Sequence, residues 1–278
     1  MKITRFAPSP SGRLHLGHAF SAVLGRTHGT RFLLRIEDLD PGRCRPEYVD
    51  GIVEDLAWLG LAIDGEPLVQ SRRTAVYAEA LDSLRAMGLA YPCFCTRADI
   101  ALSLTAPHGD AGGAYPGTCR DLKDDPARRA ELPHSWRLDA AAALAIAGLP
   151  QWVEQSGVRF TARREDIGDA VLARKDAPSS YHLACVVDDA ASGVTLVVRG
   201  ADLRPSTPVQ RLLQTLLGLP APAYLHHPLV THDDGRRLAK RDRAPTLAAM
   251  RLAGLDGPAL AADLAASSLP LGFRLSEG

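Results

Sequence analysis

The spacing of apolar residues in the first part of the chain predicts strands and helices in alternation. Residues 2–7 are predicted as a short strand, residues 8–12 break it, and apolar side chains then recur at helical spacing until Gly29. In residues 31–37 the larger apolar side chains stand at alternate positions, which is typical of a second strand. Because a helix between two parallel strands makes a right-handed crossover unit, the sequence predicts an α/β fold.

This pattern continues along the chain with one interruption. Amphipathic helices are predicted around residues 49–59 and 77–87. Residues 91–133 lose periodicity and accumulate Gly and Pro, which indicates an inserted subdomain. Regular pattern returns with strands predicted at residues 183–187 and 194–198.

Capping and turn signals organise the last part of the chain. Residues 207–210, Thr-Pro-Val-Gln, resemble a capping box that opens a helix. A strand is predicted at residues 226–231, with a turn at 233–235. After Pro245 the Ala- and Leu-rich sequence predicts short helices with a break at Gly257-Pro258.

Composition narrows the class of protein. The 278 residues, 46% hydrophobic and 23% charged, suffice for one large domain with an insert. No apolar run is long enough to span a bilayer and the start does not resemble a signal peptide, so we expect a cytoplasmic protein that does not bind membranes. Five cysteines are an odd number for a disulfide framework, which favours thiols or a metal site.

The charge balance limits how the chain could bind nucleic acid. Its formal net charge is zero, so no global positive field attracts a polyanion, and any RNA contact must be local. Basic residues concentrate at 159–175 and 236–243. Both clusters are candidate contacts, and solvated surface charge is the alternative interpretation.

A candidate phosphate site lies between the first strand and the first helix. His15, Gly17 and His18 stand at the predicted helix start, where unpaired backbone N–H groups and a partial positive charge favour an anion. The imidazoles can donate to phosphate oxygens, and a glycine allows a nucleotide to approach the backbone. The alternative is a helix cap beside a surface histidine.

A second candidate follows the turn at residues 233–235. The segment from Gly235 to Arg241 forms a basic loop, in which Lys240 could contact phosphates as pyrophosphate leaves. An exposed basic turn is the alternative interpretation.

Together these segments resemble the HIGH and KMSKS signatures of the class I aminoacyl-tRNA synthetases. Further motifs extend the resemblance to the glutamyl-tRNA synthetase subgroup, at residues 5–12, 35–40, 70–71, 187–189 and 198–202. The resemblance implies a Rossmann-type parallel sheet, and it implies ATP with Mg²⁺ and L-glutamate as substrates.

Site residues follow from the same resemblance. It implies ATP binding by His15, Gly17, His18, Arg237, Leu238 and Lys240, with His15, His18 and Lys240 as catalytic residues. It implies glutamate binding by Arg5, Ala7, Ser9, Glu37, Tyr181 and Arg199. Two guanidiniums and one carboxylate match the charges of glutamate, whereas an ordinary ion pair at the strand ends is the alternative. Arg237 and Ala239 depart from the usual loop motif, which could slow activation.

Three cysteines in the predicted insert suggest zinc. Cys93, Cys95 and Cys119 supply three thiolates, and a fourth donor would complete a closed structural site that orders the insert. The spacing resembles the zinc site of the glutamyl-queuosine tRNA(Asp) synthetases, which implies Tyr115 as the fourth ligand. His108 is the chemical alternative.

The resemblance also sets the expected domains and function. We expect a catalytic domain at residues 1–244 with the zinc-binding insert at about 91–133, followed by a short helical appendage at residues 245–278. The missing anticodon-reading region is similar to the pattern of the glutamyl-queuosine tRNA(Asp) synthetases. It implies a monomeric ligase that activates glutamate without tRNA and transfers it to the queuosine base of tRNA(Asp). The alternatives are a minimal glutamyl-tRNA synthetase acting on tRNA(Glu) and a catalytically silent tRNA-binding paralogue.

Overall fold

The computed structural model describes residues 1–96, 98–100, 115–122, 125–238 and 245–276. The helices of these ranges are α1 Leu16–His28, α2 Pro46–Trp58, α3 Thr74–Ala86, α4 Pro126–Glu131, α5 Ala140–Ala147, α6 Tyr181–Ala191, α7 Thr207–Leu216, α8 Leu247–Leu252 and α9 Gly257–Ala265. The strands are β1 Ile3–Phe6, β2 Arg31–Ile36, β3 Leu68–Val69, β4 Ala90–Cys93, β5 Ser135–Leu138, β6 Gln151–Val153, β7 Arg159–Thr161, β8 Val171–Ala173, β9 Leu196–Gly200, β10 Ala223–His227, β11 Val230–His232 and β12 Phe273–Leu275.

Parallel strands form the centre of the fold, as the sequence predicts. Strand β2 pairs in parallel with β1 on one side and β3 on the other. Strands β9 and β10 also pair in parallel, and the Thr195 N–H donates to the Ile3 carbonyl at 2.9 Å, which places β9 beside β1. The carboxyl ends of β1, β2 and β9 therefore lie at one edge, where α/β sheets bind their ligands.

An antiparallel sheet begins in the predicted insert and extends beyond its expected limit at residue 133. Strand β4 pairs with β5, and β5 pairs with β8, so residues 135–138 and 171–173 belong to the same sheet. Residues Tyr91, Cys93 and Cys119 form a small buried cluster of their own, separate from the two larger cores of the fold. Such a small cluster provides little hydrophobic stabilisation, which is consistent with a need for metal.

The strand predicted at residues 183–187 is wrong, because these residues belong to helix α6. The Ser180 hydroxyl caps this helix by accepting from the Leu183 N–H. Every residue from Leu183 to Asp189 is buried, so the helix shows no polar face in its sequence. A short apolar run of this kind does not distinguish a buried helix from a strand.

Two smaller predictions in the last part of the chain are also corrected. The capping box at residues 207–210 does not form, since Ser206 precedes the helix and makes no side-chain cap. The strand predicted at 226–231 divides between β10 and β11. The break predicted near Gly257-Pro258 is confirmed, because residues 253–256 separate α8 from α9, and Gly257 and Pro258 begin α9 in agreement with the preference of proline for the first helical turn.

The last described segment packs against the rest of the fold. Strand β12 pairs antiparallel with β11, and Leu247 and Leu264 are buried in the core that also contains Phe20 of α1. Among the described helices, none combines the length and apolar character that a bilayer crossing requires.

Candidate active site

A cavity opens at the carboxyl edge of the parallel strands. It has a volume of about 120 Å³ and is lined by five of the residues predicted to bind glutamate, namely Arg5, Ala7, Glu37, Tyr181 and Arg199. An adjoining cavity of about 110 Å³ shares Glu37 and Tyr181 and is lined by the sixth, Ser9. The fold thus gathers six residues from distant parts of the sequence at one place.

Buried charges surround one wall of this cavity. The Arg5 Nε donates to the Asp189 Oδ1 at 3.0 Å, and Arg35 donates to the same oxygen. The Arg35 Nη2 also donates to the Glu37 Oε1 at 3.0 Å. Arg5, Arg35 and Asp189 are at most 5% exposed, so water screens these charges weakly.

The two carboxyl groups of this wall respond differently to burial. Burial alone would raise the pKa of Asp189, but the guanidiniums of Arg35 and Arg5 outweigh it and hold that pKa below its ordinary value. Burial raises the pKa of Glu37, and Arg35 and Arg5 offset this only in part. Asp189 therefore acts as a fixed counterion, whereas Glu37 lacks a cation that would fully stabilise its charge.

Arg199 forms the opposite wall and is held on all three of its nitrogens. The Nη1 donates to the Gln210 Oε1 at 2.7 Å, the Nη2 to the Thr207 Oγ1 at 2.8 Å, and the Nε to the His226 Nε2 at 3.2 Å. The Tyr181 hydroxyl lies 3.4 Å from the Nη1. The two side chains predicted as a capping box therefore orient an arginine instead.

His226 links Arg199 to the carboxylate of Glu154 by hydrogen bonds. Its Nδ1 lies 2.7 Å from the Glu154 Oε1, and its Nε2 accepts from Arg199. This pattern fixes the neutral tautomer with the proton on Nδ1. Burial lowers the pKa of His226 to about 4, in spite of the opposing hydrogen bond to Glu154, so the ring stays neutral beside Arg199.

The charges of both walls suit an acidic amino acid. The guanidiniums of Arg5, Arg35 and Arg199 carry three positive charges, and the carboxylates of Glu37 and Asp189 carry two negative ones when ionised. A ligand with two carboxylates and one ammonium group compensates the remaining charge. The roles of Arg35 and Asp189 were not predicted from the sequence, although both residues belong to motifs of the family, at residues 35–40 and 187–189.

The predicted phosphate-binding histidines cap helix α1. The His15 Nδ1 accepts from the Gly17 N–H at 3.2 Å, and the His18 Nδ1 accepts from the His15 N–H at 3.2 Å. With Nδ1 as the acceptor, each neutral ring carries its proton on Nε2. The cap interpretation is thus realised, and it is compatible with an N–H donor on each imidazole for a phosphate.

The surroundings of Gly17 favour a residue without a side chain. A Cβ atom there would lie 3.1 Å from the His15 Cε1 and 4.0 Å from the Leu238 Cδ1. The first contact is tighter than side chains normally make, so the position favours glycine. The second shows that Leu238, within the basic segment, reaches the amino end of α1.

Both flanks of the basic loop adjoin the helix start. Residues 231–237 form a hairpin, in which Thr231 bridges Arg237 and the turn uses Gly235 at a φ of 83°, a conformation that favours glycine. On the far side, His15 bridges Thr246, and the Leu247 N–H donates to the Leu14 carbonyl at 2.9 Å. Lys240 lies outside the described residues.

The predicted metal ligands of the insert converge. The sulfur atoms of Cys93, Cys95 and Cys119 lie within 4.8 Å of one another, and the Tyr115 hydroxyl is 3.3 Å from the Cys93 Sγ and 3.5 Å from the Cys95 Sγ. Zinc with tetrahedral ligands would separate these atoms by about 3.5–3.8 Å. The cluster is therefore compatible with zinc, with Tyr115 as fourth donor. His108, the alternative donor, lies outside the described residues.

Comparison with known proteins places this site in a family. The catalytic domain of the class I tRNA synthetases (E and Q) matches residues 2–264. The chain belongs to this family. Membership agrees with the predicted Rossmann-type sheet and with the histidine-bearing signature at the amino end of α1, which Leu238 approaches.

Within this family, the chain is similar to several individual proteins. A protein of Rhodobacter capsulatus named glutamyl-Q tRNA(Asp) synthetase is 46% identical over 272 residues, which cover 91% of this chain and 95% of that protein. A protein of Nocardia farcinica with the same name is 51% identical over 254 residues, or 90% and 79% of the two chains. A crystal structure of the glutamate-tRNA synthetase of Elizabethkingia anophelis is 24% identical with a TM-score of 0.77 and covers 95% of this chain, but the chain spans only 61% of that protein, so this likeness concerns the fold.

Proposed function

We propose that the protein is a ligase that activates glutamate with ATP and transfers the glutamyl group to the queuosine base of tRNA(Asp). The activation of glutamate is supported by one observation above all. The cavity whose charges match those of glutamate lies near the helix α1, which bears His15 and His18 at its start. The second half is supported by relatives of similar length that are named glutamyl-Q tRNA(Asp) synthetase. Two alternatives are kept as outcomes of the tests below: a catalytically silent tRNA-binding paralogue, and a minimal glutamyl-tRNA synthetase that acts on tRNA(Glu).

Glutamate binds between the two walls of the cavity in this proposal. Arg5 and Arg199 face its two carboxylates, and Glu37 receives its ammonium group, which compensates the burial that raises the pKa of Glu37. Arg35 and Asp189 hold Glu37 and Arg5 in place. The site is organised before the substrate arrives, so little reorganisation is needed during the reaction.

Activation proceeds by displacement at the α-phosphorus of ATP. A carboxylate oxygen of glutamate forms a bond to phosphorus while the bond to the bridging oxygen breaks, and pyrophosphate leaves with that electron pair. The Nε2–H groups of His15 and His18 stabilise the phosphate oxygens, and Lys240, with Arg237 and Leu238, closes over the nucleotide. Mg²⁺ bound together with ATP would neutralise charge on the departing phosphates.

Transfer follows without further nucleotide chemistry. A hydroxyl of the cyclopentene ring of queuosine attacks the activated carbonyl carbon, an ester bond forms, and AMP leaves with the electrons of the broken anhydride bond. The protein must therefore admit a base of an RNA loop to the cavity that holds the adenylate. Zinc bound by Cys93, Cys95, Tyr115 and Cys119 would stabilise the insert without taking part in this chemistry. The domain limits at 244 and 245, the monomeric state and the cytoplasmic location stay predictions.

Two assays test the proposal in sequence. ATP–pyrophosphate exchange should depend on glutamate and need no tRNA, whereas exchange at background level would favour the silent paralogue. Labelled glutamate should then join tRNA(Asp) that contains queuosine and be absent from the same tRNA prepared without it. Label mapped to the terminal adenosine of tRNA(Glu) would assign the minimal glutamyl-tRNA synthetase instead.

A further inference from the structure

The last described residues of the chain lie along the hairpin that precedes the basic loop. We name residues 272–276 the tether. The Ser276 N–H donates to the Leu229 carbonyl at 2.7 Å, and the Leu229 N–H donates to the Ser276 Oγ at 2.9 Å. At the other end, the Asp233 N–H donates to the Gly272 carbonyl at 3.1 Å. The tether therefore follows strand β11 over its whole length.

The tether makes β11 the middle strand of three. On one side Thr231 pairs with Arg274 of β12, and on the other side it bridges Arg237. The His232 N–H donates to the Arg236 carbonyl at 2.9 Å, which adds a bond to the hairpin. A hairpin of two strands is at best marginally stable in water, whereas a third strand and an apolar face stabilise it. Without the tether, Arg237 would stand on a marginally stable hairpin.

Side chains of the tether also cover the hairpin and its turn. The Phe273 ring centroid lies 5.5 Å from that of His232. A Cβ atom at Gly235 would lie 3.0 Å from the Arg274 Nη2, so this guanidinium lies against the turn. Phe273 and Leu275 pack against the core to which α1 contributes. The hairpin is thus held by side-chain packing as well as by backbone bonds.

The tether is anchored to the helix that carries the candidate phosphate site. Between the hairpin and β12 the described chain forms α8 and α9, which bury three leucines in the same core as α1, namely Leu247, Leu260 and Leu264. The start of α9 meets the end of α2, where a Cβ atom at Gly257 would clash with the Trp58 carbonyl. Leu238, which directly follows the hairpin, packs against this core and lies near Gly17. The tether therefore joins the hairpin to the body that presents the amino end of α1.

We propose that the tether positions the basic loop for adenylate formation, with Phe273 and Ser276 as positioning residues. The basic segment continues from the hairpin to Lys240. Contacts to the phosphates accelerate the reaction only when they are correctly placed, since a displacement of about 1 Å can reduce a rate about 100-fold. A third strand fixes the hairpin before ATP binds, so less free energy is needed to place the loop. This inference rests on the proposed function and assigns part of its catalytic rate to the tether.

The test compares a loosened tether with a conservative variant and a matched control. Phe273→Ala/Ser276→Ala removes the ring contact and the hydroxyl that accepts from Leu229. Phe273→Tyr/Ser276→Thr keeps a ring and a hydroxyl at the same positions. Ser268→Ala removes a hydroxyl from an exposed residue between α9 and β12. Pyrophosphate exchange gives kcat and KM for glutamate, and amide hydrogen exchange followed by mass spectrometry reports the opening of residues 229–238.

The loosened tether should lower kcat and leave KM unchanged. We expect kcat to fall about 5- to 30-fold, the equivalent of one hydrogen bond and one partly exposed ring contact. KM for glutamate should stay within about twofold of the parent value, because none of the tether's bonds described above involves a residue of the glutamate cavity. Amide exchange should become faster in residues 229–238 and stay unchanged in α1. The conservative variant and Ser268→Ala should match the parent within about twofold in kcat and in amide exchange.

A milder variant keeps the test valid if the double variant unfolds. Ser276→Ala alone removes one partly exposed hydroxyl and should show the same pattern, with kcat about 3- to 10-fold lower.

Three results would overturn the positioning role. Faster amide exchange in the hairpin with an unchanged kcat would show that the tether holds the hairpin without serving the reaction. Unchanged amide exchange in the loosened variant would show that the hairpin is stable without these contacts. Faster exchange in α1 as well would show general destabilisation. Failure of the proposed function is distinguishable, because a parent protein without glutamate-dependent pyrophosphate exchange would still report, through its amides, whether the tether holds the hairpin.

Discussion

Replacing Glu37 with Gln tests the centre of the proposed chemistry. The substitution keeps the size of the side chain and removes one negative charge from a group that is 12% exposed and lies 3.0 Å from the Arg35 Nη2. In the proposed complex this charge faces the ammonium group of glutamate. Loss of one partner from a desolvated ion pair costs about 2–5 kcal/mol. Because the cavity opens to solvent, we expect about 2 kcal/mol, equivalent to about a 30-fold lower kcat/KM for glutamate.

The assay is ATP–pyrophosphate exchange with varied glutamate. Arg35 keeps its bond to Asp189, so the fold should survive, and thermal unfolding checks this. Glu79→Gln, on the exposed face of α3, makes the same chemical change away from the cavity and should leave kcat/KM unaltered. A folded Glu37→Gln protein with kcat/KM within threefold of the parent would refute the ammonium-binding role.

Three further predictions concern the cap of Arg199, the metal and the basic loop. The pKa of His226 falls from 6.5 to about 4 on folding, so its contribution to stability is complete above pH 6.5 and is lost as the pH falls toward 4. Between pH 7 and pH 5 the free energy of unfolding, measured with urea, should fall by up to about 2 kcal/mol less in His226→Gln than in the parent protein. Equal falls in the two proteins would contradict the linkage between His226 protonation and stability. Cys95→Ser should release zinc, measured by elemental analysis, and lower the Tm, whereas full metal content would count against the thiolate site. Lys240→Ala should reduce exchange by about 100-fold or more while the Tm stays constant, since its contact forms mainly in the transition state, and undiminished exchange would remove Lys240 from the mechanism.

Local pattern predicted well the elements whose side chains divide between a buried and an exposed face. Strand β2 and helix α1 begin and end within a few residues of their predicted limits, because each has an apolar face and a turn signal beside it. Strand β1 is buried throughout, and Pro8 marks its end. Helix α6 has no exposed face from Leu183 to Asp189, so its periodicity is invisible in the sequence. Its buried carboxylates are explained by partners from other elements: Arg73, Gln70 and Tyr77 donate to Asp188, and Arg5 and Arg35 donate to Asp189.

Residues 207–210 show that side-chain hydrogen bonds, too, cannot be predicted from local sequence alone. Thr207 and Gln210 have the spacing of a capping box, and that local pattern is chemically reasonable. In the folded chain the guanidinium of Arg199 lies within 2.8 Å of both side-chain oxygens and takes their bonds. A charged donor forms stronger hydrogen bonds than a backbone N–H, so the tertiary contact prevails.

The sequence by itself determined which chemical groups are present and the order in which the chain supplies them: the helix-start histidines, the basic loop, the three cysteines and most of the charged residues of the cavity. It also carried the resemblance from which the family and the glutamate site were expected. Only the tertiary structure decided the partners, because Arg5 and Asp189 are 184 positions apart and the strength of their attraction depends on distance and burial, not on sequence separation.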